Sequence, residues 1–313
     1  MSTHASFDPT SLVTVTVTFN PEIELLQAQL VALPRESLKL VVDNASQSDT
    51  IEEIEALVSR TPNAMLLRNT ENIGLAAAVN RGVAAVRASA PCSHFVLLLD
   101  QDSEPSSGSI ERLVEGFEAL RARGVRIGCV GPTLLDATTG LKHGFHQCTR
   151  WRWKRVYPDS DSNDPVACAN LNGSGTLVPV DIFLELGGLE DNLFIDHVDT
   201  EWAFRVQAHG YQLFGIPQAV FRHRMGESSR RIWLFGWRVW PIRSSRRHYF
   251  LYRNAVLLMR RAYVPWVWKV WAVIKLTITA GVTLMIGPRR FAQMRSMVCG
   301  IRDAIVETKD CNV

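Results

Sequence analysis

The sequence predicts an α/β protein whose core is a mostly parallel, doubly wound β-sheet. Segments with strand and helix patterns alternate from residue 13 to about residue 123, as successive βαβ units require. The apolar run at residues 94–99 shows no alternation of apolar and polar side chains, which is typical of a strand covered on both faces. Carboxylates follow two predicted strands, at Asp43 and Asp100, and ligands of open α/β sheets bind at the carboxyl ends of strands.

Each element is predicted from its own local pattern. Valine and threonine alternate in the first strand, and Asn20 and Pro21 end it. The alanine-rich helix after Gly74 starts with free backbone N–H groups, which offer a site for phosphate. The absence of G-x-G-x-x-G after the first strand disfavours a nicotinamide or flavin cofactor. In order, we predict strand 13–19, helix 22–33, strand 38–42, helix 50–59, strand 65–67, helix 75–88, strand 94–99, helix 110–123, strand 127–132, a hairpin or loop at 151–155, strand 176–179 and helix 199–210.

The charge of the chain is distributed unevenly. The net charge is +3, but residues 1–221 contain 16 basic and 27 acidic side chains, whereas residues 222–313 contain 18 basic and 4 acidic ones. Six of the nine tryptophans lie in the basic part, and tryptophan favours the membrane interface. We therefore expect the basic part to meet an anionic lipid surface rather than nucleic acid.

The cysteines predict neither disulfides nor structural zinc. The six cysteines form no C-x-x-C pair, and no secretory signal precedes them, so we expect free thiols in a reducing compartment. With 47% hydrophobic residues in 313, the chain can bury a large core, as one domain or as one domain with an appendage.

Two carboxylates follow the central apolar strand. Asp100 and Asp102 point the same way if the strand geometry persists, so both could hold one divalent cation that bridges a diphosphate. The alternative is that they cap the following turn or helix, which Asp-x-Asp-Ser-x-Pro would do well. His223 ends another predicted strand; such a histidine is more often structural, but imidazole could complete the metal shell that Asp102 begins.

A second acidic cluster occupies residues 190–205. Asp199 is predicted to open a helix, and Glu201 and Arg205 have the i, i+4 spacing of an ion pair. A purely structural role accounts for the presence of Glu201 and Arg205 as well as a functional role does. A structural role accounts less well for Asp196 and Asp199, because the apolar and aromatic residues around them would raise the pKa of a carboxylate toward that of a general base.

In this order, the motifs resemble those of the bacterial family-2 glycosyltransferases, and within that family the rhamnosyltransferases. The resemblance implies a GT-A fold, a dTDP-L-rhamnose donor and inversion at the anomeric carbon. The matching segments are VTFN (17–20), VVDNAS (41–46), NTENIGLAAAVNRGV (69–83), LLLDQDS (97–103), LFIDHVDTEWAFR (193–205), HRMG (223–226) and YFLYRNAVLL (249–258).

The resemblance also implies where the nucleotide binds. Val17, Phe19 and Asp43 match residues that hold the nucleobase. Asn72 and Gly74 match residues that border the nucleotide pocket.

The same comparison implies the chemical roles. Asp100 and Asp102 match the D-x-D of the family and would face the donor, with Asp102 the direct ligand of Mg²⁺ or Mn²⁺. His223 matches a histidine that contacts metal or diphosphate in some relatives. Asp199 matches the base that deprotonates the acceptor hydroxyl.

These implications predict a catalytic domain at residues 1–227 and a basic, aromatic-rich, helical region at 228–313 that contacts acceptor and membrane.

We expect the protein to act peripherally at the cytoplasmic face of the bacterial inner membrane, on a lipid-linked saccharide or glycolipid acceptor of O-antigen synthesis. The alternative acceptor is a mono-rhamnolipid that receives its second rhamnose. The stretch 266–286 is interrupted by Lys269 and Lys275, and the longest uncharged run there, residues 276–288, has 13 residues. That run is too short to span, so we predict an interfacial helix, with a buried structural helix as the alternative.

Three other functions compete with this one. A nucleic-acid-binding protein would use the basic region but would leave both acidic clusters without a role. A catalytically silent nucleotide-sugar binder would be expected to lack Asp102 or Asp199, and both are present. A metal-dependent hydrolase of nucleotide sugars would differ only in using water as the acceptor.

Overall fold

The structure is a computed structural model. It describes residues 7–306 except for 138, 160, 161, 163, 224–228, 234–236, 242 and 288. The five cysteines in the described part of the chain are free.

The N-terminal half alternates strands and helices as predicted, with most boundaries within two residues of the expected ones. Its elements are β1 (Leu12–Thr18), α1 (Ile23–Ala32), β2 (Leu38–Asp43), α2 (Ser48–Arg60), β3 (Ala64–Arg68), α3 (Leu75–Ser89), β4 (Phe95–Asp100), β5 (Ser103–Pro105) and α4 (Ser109–Ala122).

The second half adds antiparallel strands to the sheet and ends in helices. Its elements are β6 (Ile127–Asp136), β7 (Lys142–His143), β8 (Phe145–Cys148), β9 (Trp153–Val156), β10 (Val166–Cys168), β11 (Thr176–Pro179), α5 (Val180–Glu185), α6 (Val198–Ala208), β12 (Gln212–His223), β13 (Ser229–Trp233), β14 (Trp237–Pro241), α7 (Ser245–Met259), α8 (Trp266–Ile286) and α9 (Arg290–Val306).

The main sheet has ten strands and is mixed. Its order is β10-β12-β6-β11-β4-β1-β2-β3, with β5 paired to β12 and β7 to β6. Strands β4, β1, β2 and β3 are parallel neighbours, so the carboxyl ends of β1, β2 and β4 meet at one edge. Antiparallel pairing of β5 with β12 sets His223 opposite Ser103. The end of a distant strand is thereby brought to the turn that carries Asp102.

The core lies on both faces of the sheet, which explains the unbroken apolar run in β4. Phe95, Leu97 and Leu99 join the apolar cluster on one face, together with α1, α2 and α4. Val96 and Leu98 join the cluster on the other face, together with α3, α5 and α6. The prediction of a strand covered on both sides is confirmed.

Strand β1 is also buried on both faces, although its sequence alternates valine and threonine. Two of its three threonines are accommodated through side-chain hydrogen bonds, whereas the buried Thr14 hydroxyl has no partner among the described residues. Thr16 donates to Gln29 Oε1 at 2.8 Å and Thr18 donates to Asp43 Oδ1 at 3.1 Å. Hydroxyl groups on this strand therefore hold residues at the carboxyl edge instead of facing solvent.

The C-terminal region begins with a two-stranded hairpin, β13–β14, which the sequence did not predict, and continues as three helices. Helix α7, the first turns of α8 and the loop between them pack on the main core, since Leu258, Val264, Trp268 and Ala272 join the apolar cluster beneath the sheet. The division at residue 227 stays a prediction, but these helices pack directly on the domain before it.

Helix α8 is partly buried, and the prediction that residues 266–286 form an interfacial helix stays a prediction. One side is buried against the protein, and the other exposes large apolar side chains. By length and composition alone it is the one helix, among the described residues, that is long and apolar enough to cross a membrane. The exposed side bears Trp266, Val270, Trp271, Val273, Ile274 and Ile278.

Candidate active site

Asp100, Asp102 and His223 meet at the carboxyl edge of the sheet. One ligand atom from each lies within 4.8 Å of the other two. His223 Nδ1 is 3.2 Å from Asp102 Oδ1 and 3.1 Å from Ser103 Oγ. Burial acts to lower the pKa of His223, but the hydrogen bond with Asp102 and the nearby carboxylate charges raise it overall.

A buried glutamine holds the turn that carries these aspartates. Gln29 is fully buried, and its Nε2 donates to the carbonyl oxygens of Asp100 and Ser103, each at 2.6 Å. Its Oε1 accepts from Thr16. Sequence reasoning missed this residue; the signal available was a glutamine in an otherwise apolar stretch of α1.

The three residues predicted to hold a nucleobase lie at the ends of β1 and β2. Val17 is buried and lies opposite Val42 and Asp100 in the sheet, whereas Phe19 is half exposed and its N–H donates to Gln101 Oε1 at 2.8 Å. The Asp43 carboxylate accepts from Thr18 and from the N–H and hydroxyl of Ser46. The structure brings these residues to the edge where Asp100 lies, and their role in nucleotide binding stays a prediction.

Asn72 and Gly74 form the turn before α3. Asn72 Oδ1 accepts from Asn44 Nδ2 and from the Gly74 N–H, both at 3.0 Å. Gly74 has φ +87°, and a Cβ there would lie 2.6 Å from the ring of Phe194. Glycine is therefore required both by backbone conformation and by the close approach of the second acidic segment.

The expectation that the start of α3 is a free phosphate site is wrong. The N–H groups of Leu75 and Ala76 donate to the carbonyl oxygen of Phe194, at 2.6 and 3.4 Å. A tertiary contact from residue 194 thus takes the donors that the helix alone would leave free.

Asp199 lies in the first turn of α6. Its Oδ1 accepts from the Thr200 N–H at 2.8 Å, and the Gly173 N–H also donates to its carboxylate. Burial raises the pKa of Asp199 to about 6, and the charges of Asp100 and Asp196 add to the rise. This agrees with the expectation that the surroundings of Asp199 favour proton acceptance near neutral pH.

The segment before Asp199 is strained. Phe194, Asp196 and His197 have φ of +59°, +60° and +65°, a region that costs such residues roughly 1–3 kcal/mol each. Asn254 of α7 lies beneath the segment, and its Nδ2 is 2.7–2.9 Å from the carbonyl oxygens of residues 193, 195 and 196. This amide therefore stabilises the conformation that positions Asp199.

Arg247 forms an ion pair with the same segment. Its Nη2 lies 2.8 Å from Asp196 Oδ1, and its Nε lies 3.2 Å from Asp196 Oδ2. Asp196 is therefore a partner in a bidentate ion pair. Asp199 makes no ion pair among the described residues, so the structure separates the two aspartates that the sequence grouped together.

The predicted Glu201–Arg205 ion pair is confirmed as part of a buried network. Arg205 Nε is 2.8 Å from Glu201 Oε1, and Glu201 is fully buried. Arg261 and Tyr263 donate to the same carboxylate oxygen at 3.1 and 2.6 Å. This network joins α6 to the chain that follows α7 and gives Glu201 a structural role.

The side chains of Asp100, Asp102 and His223, together called the D-x-D corner, have donor atoms that suit a divalent cation. Two carboxylates and one imidazole offer oxygen and nitrogen ligands, a set that Mn²⁺ accepts readily, whereas Mg²⁺ prefers oxygen alone. Burial raises the pKa of Asp100, an effect that His223 opposes and Asp102 reinforces. Two carboxylates so close to each other favour a bound cation.

One family model matches part of the chain. The model of the family described as "Glycosyl transferase family 2" matches residues 37–184, the stretch that runs from β2 through Asp100 and Asp102 to α5. This stretch therefore resembles glycosyltransferase family 2.

Two relatives of the chain are rhamnosyltransferases. It is 27% identical over 256 residues to the dTDP-rhamnosyl transferase RfbF of Shigella flexneri, covering 80% of each chain. It is 28% identical over 253 residues to the N-acetylglucosaminyl-diphospho-decaprenol L-rhamnosyltransferase of Mycobacterium tuberculosis, covering 72% of this chain and 78% of the relative.

The fold of the protein is GT-A. The mannosyltransferase PcManGT of Pyrobaculum calidifontis, solved with GDP-Man and Mn²⁺, superposes with a TM-score of 0.56 at 15% identity, covering 96% of this chain and 90% of that one. The predicted α/β architecture with helices on both faces of a mixed sheet is therefore confirmed.

Proposed function

We propose that this glycosyltransferase moves L-rhamnose from dTDP-L-rhamnose to a lipid-linked saccharide or glycolipid acceptor in cell-envelope polysaccharide synthesis. The observation that carries the proposal is the pairing of two sites: a D-x-D and histidine corner, and a separate carboxylate, Asp199, whose pKa burial raises to about 6. The relatives supply the sugar, since one is a dTDP-rhamnosyl transferase and the other an L-rhamnosyltransferase.

Asp199 acts as the general base. Its carboxylate takes the proton of the acceptor hydroxyl as that oxygen attacks the anomeric carbon from the face opposite the diphosphate, so configuration inverts. Only one base is needed because the nucleoside diphosphate leaves without protonation. A positioned base of this kind contributes about 10²–10⁴ in rate.

Asp102, His223 and Asp100 would hold the divalent cation at the donor side. When bound there, the cation neutralises charge that develops on the departing diphosphate. Gln29 keeps both carbonyls of the turn in place, so the aspartate side chains are presented from a fixed backbone.

Helix α8 and the basic residues before it would attach the enzyme to the cytoplasmic face of the inner membrane. The exposed side of α8 is apolar, and residues 222–261 contain eleven arginines and one acid. Each basic residue near an anionic leaflet contributes about 1 kcal/mol. The protein should co-sediment with anionic liposomes, less so as salt rises; equal binding to neutral vesicles would contradict the electrostatic part.

The direct test is transfer from dTDP-rhamnose, with Mn²⁺ or Mg²⁺, to a panel of lipid-diphosphate-linked sugars and a mono-rhamnolipid. Product formation, with an anomeric configuration by NMR opposite to that of the donor, supports the proposal. Asp199→Asn should abolish transfer, and the exposed Asp181→Asn serves as the matched control. Release of free rhamnose at the same rate with and without every acceptor would identify a hydrolase instead.

A further inference from the structure

The turn between strands β8 and β9 exposes a tryptophan. Trp151 lies in this turn and is 68% exposed. The Thr149 N–H donates to the Arg152 carbonyl oxygen at 2.9 Å. Thr149 Oγ1 accepts from the N–H groups of Trp151 and Arg152, at 3.4 and 3.0 Å. The turn therefore has a defined conformation, and it presents the indole of Trp151 at the tip of the hairpin.

The strands behind this turn are fixed to the domain. Trp153 begins β9 and pairs with Cys148 across the hairpin. Its ring stacks on that of His146, with the two centroids 5.2 Å apart, and packs edge-to-face on Phe204 of α6 at 6.1 Å. One tryptophan of the hairpin thus anchors it to the core, whereas the other points outward.

Trp151 meets the first residue of α8. Its ring packs edge-to-face on that of Trp266, with the centroids 5.7 Å apart, and Trp266 is itself 52% exposed. Val270, Ile274 and Ile278 are also exposed and continue from it at intervals of four residues, which places all of them on one side of the helix. The tip of the hairpin is therefore continuous with the exposed apolar side of α8.

The other side of α8 is buried against the domain along the length of the helix. Val267 and Ala272 in its first half and Val282 in its last turns are buried. A helix that crosses a membrane by itself contacts lipid all round, whereas α8 can present one side only. On that exposed side, the Thr277 hydroxyl donates to the Val273 carbonyl oxygen at 2.9 Å, so it needs no water in an apolar layer. These features suit a helix that lies in the plane of a leaflet.

A second exposed aromatic residue lies beyond the far end of α8. Phe291, in the first turn of α9, is 76% exposed. The Arg290 guanidinium lies 5.4 Å from the centre of the Phe291 ring, much as the Arg150 guanidinium lies 5.1 Å from the centre of the Trp151 ring. The 21 residues of α8 extend about 30 Å between them. The apolar side of the helix thus has an aromatic residue with an adjacent arginine at each end.

The charge at the two ends favours lipid over a second copy of this chain. Residues 149–155 contain four basic side chains and residues 285–295 contain three, with no acidic side chain in either segment. Because both ends are basic, two copies packed through this side would repel each other in either orientation, whereas anionic headgroups would attract both ends. Exposed aromatic residues flanked by arginine are typical of the membrane interface.

We propose that the tip of hairpin β8–β9 enters an anionic leaflet beside α8. Trp151 and Trp266 at one end and Phe291 at the other hold α8 parallel to the membrane plane, with Arg150 and Arg290 at the headgroups. The inference rests on the proposed membrane attachment. It adds two anchors outside the segments that carry that attachment, and it gives the catalytic domain a single orientation on the leaflet.

Quenching of tryptophan fluorescence tests the position of Trp151. The full chain is bound to vesicles of phosphatidylcholine and phosphatidylglycerol, with and without bromine on the acyl chains. Trp151→Phe should lower the fraction of fluorescence that the brominated chains quench, because it removes one indole from the leaflet and keeps an aromatic anchor in its place. An equal quenched fraction in the two proteins would overturn the inference.

Partitioning onto the same vesicles measures what the hairpin contributes. Trp151→Ser should lower the partition coefficient about tenfold, the effect of leaving about 60 Å² of apolar surface in water. Joint replacement of Arg150 and Arg152 by glutamine should weaken binding to anionic vesicles more than binding to neutral ones. Val31→Ser in α1 and Arg123→Gln after α4 are matched controls, since both residues are exposed on the opposite face of the sheet. Neither control should change the partition coefficient.

The outcomes separate this inference from the proposed function. A wild-type protein that binds the vesicles no better than Trp151→Ser refutes the hairpin anchor and leaves attachment through α8 intact. A wild-type protein that does not bind anionic vesicles refutes the attachment as well. A dimer that forms without lipid and that Trp151→Ser dissociates, measured by sedimentation, would assign the surface to a second copy instead. Rhamnose transfer to a water-soluble acceptor should be unchanged in Trp151→Ser; if it falls, the quenching of Trp151→Phe decides.

Discussion

Replacing Asp199 with asparagine should make the protein more stable and much less active. Asparagine keeps the shape of the side chain and an acceptor oxygen for the Thr200 N–H, but it removes a charge that burial disfavours. Comparing the variant with the wild type therefore gives two quantities. One is the free energy of unfolding lost by keeping this carboxylate ionised, and the other is the increase in kcat that the carboxylate provides.

The size of the stability change follows from the pKa. An aspartate pKa raised from 3.8 to about 6 corresponds to about 3 kcal/mol against the ionised form in the folded state. Partial exposure of Asp199 lowers the expected gain in the free energy of unfolding to about 1–2 kcal/mol at pH 8. Because the folded pKa exceeds the unfolded one, the wild-type penalty is absent below about pH 4, grows between pH 4 and 6, and is complete above pH 6.

Urea denaturation at pH 4, 6 and 8 measures this difference, and steady-state transfer measures the rate. We expect the curves of the two proteins to coincide at the lowest pH and to diverge above it, with kcat reduced about 10²–10⁴-fold. Wild-type activity should rise with pH through about 6. A variant that is less stable at pH 8, or one that keeps wild-type turnover, would refute the assignment of Asp199 as a buried base.

Three further substitutions test the parts around the base and the metal corner. Asn254→Leu removes the donor to three carbonyls, and we expect a loss of about 2–4 kcal/mol in urea denaturation, together with a lower kcat. Gln29→Leu leaves the carbonyls of the D-x-D turn unpaired and should weaken Mn²⁺ binding, measured by calorimetry, more than the exposed Gln27→Leu does. His223→Ala should raise the Mn²⁺ concentration needed for half-maximal activity, whereas dTDP affinity without metal should stay unchanged.

Local pattern was sufficient for the elements of the N-terminal half. Apolar runs, helical spacing and turn residues are properties of neighbouring residues, so the elements from β1 to α4, except the unpredicted β5, were predicted close to their observed bounds. The D-x-D corner was also predictable, because Asp100 and Asp102 follow directly on a strand whose burial is visible in its composition. The hairpin β13–β14 and the paired N–H groups at the start of α3 were not, since each depends on partners distant in the chain.

The active site, too, was predictable from local sequence only in part. The sequence by itself determined which carboxylates and which histidine are present, and the order in which they follow strands and helices. Folding, which local pattern does not show, pairs Asp196 with Arg247 and leaves Asp199 part-buried, without an ion pair among the described residues. Burial and pairing are set by groups from α6, α7, α8 and β9 that meet only after folding, and these determine the pKa and charge on which the chemistry depends.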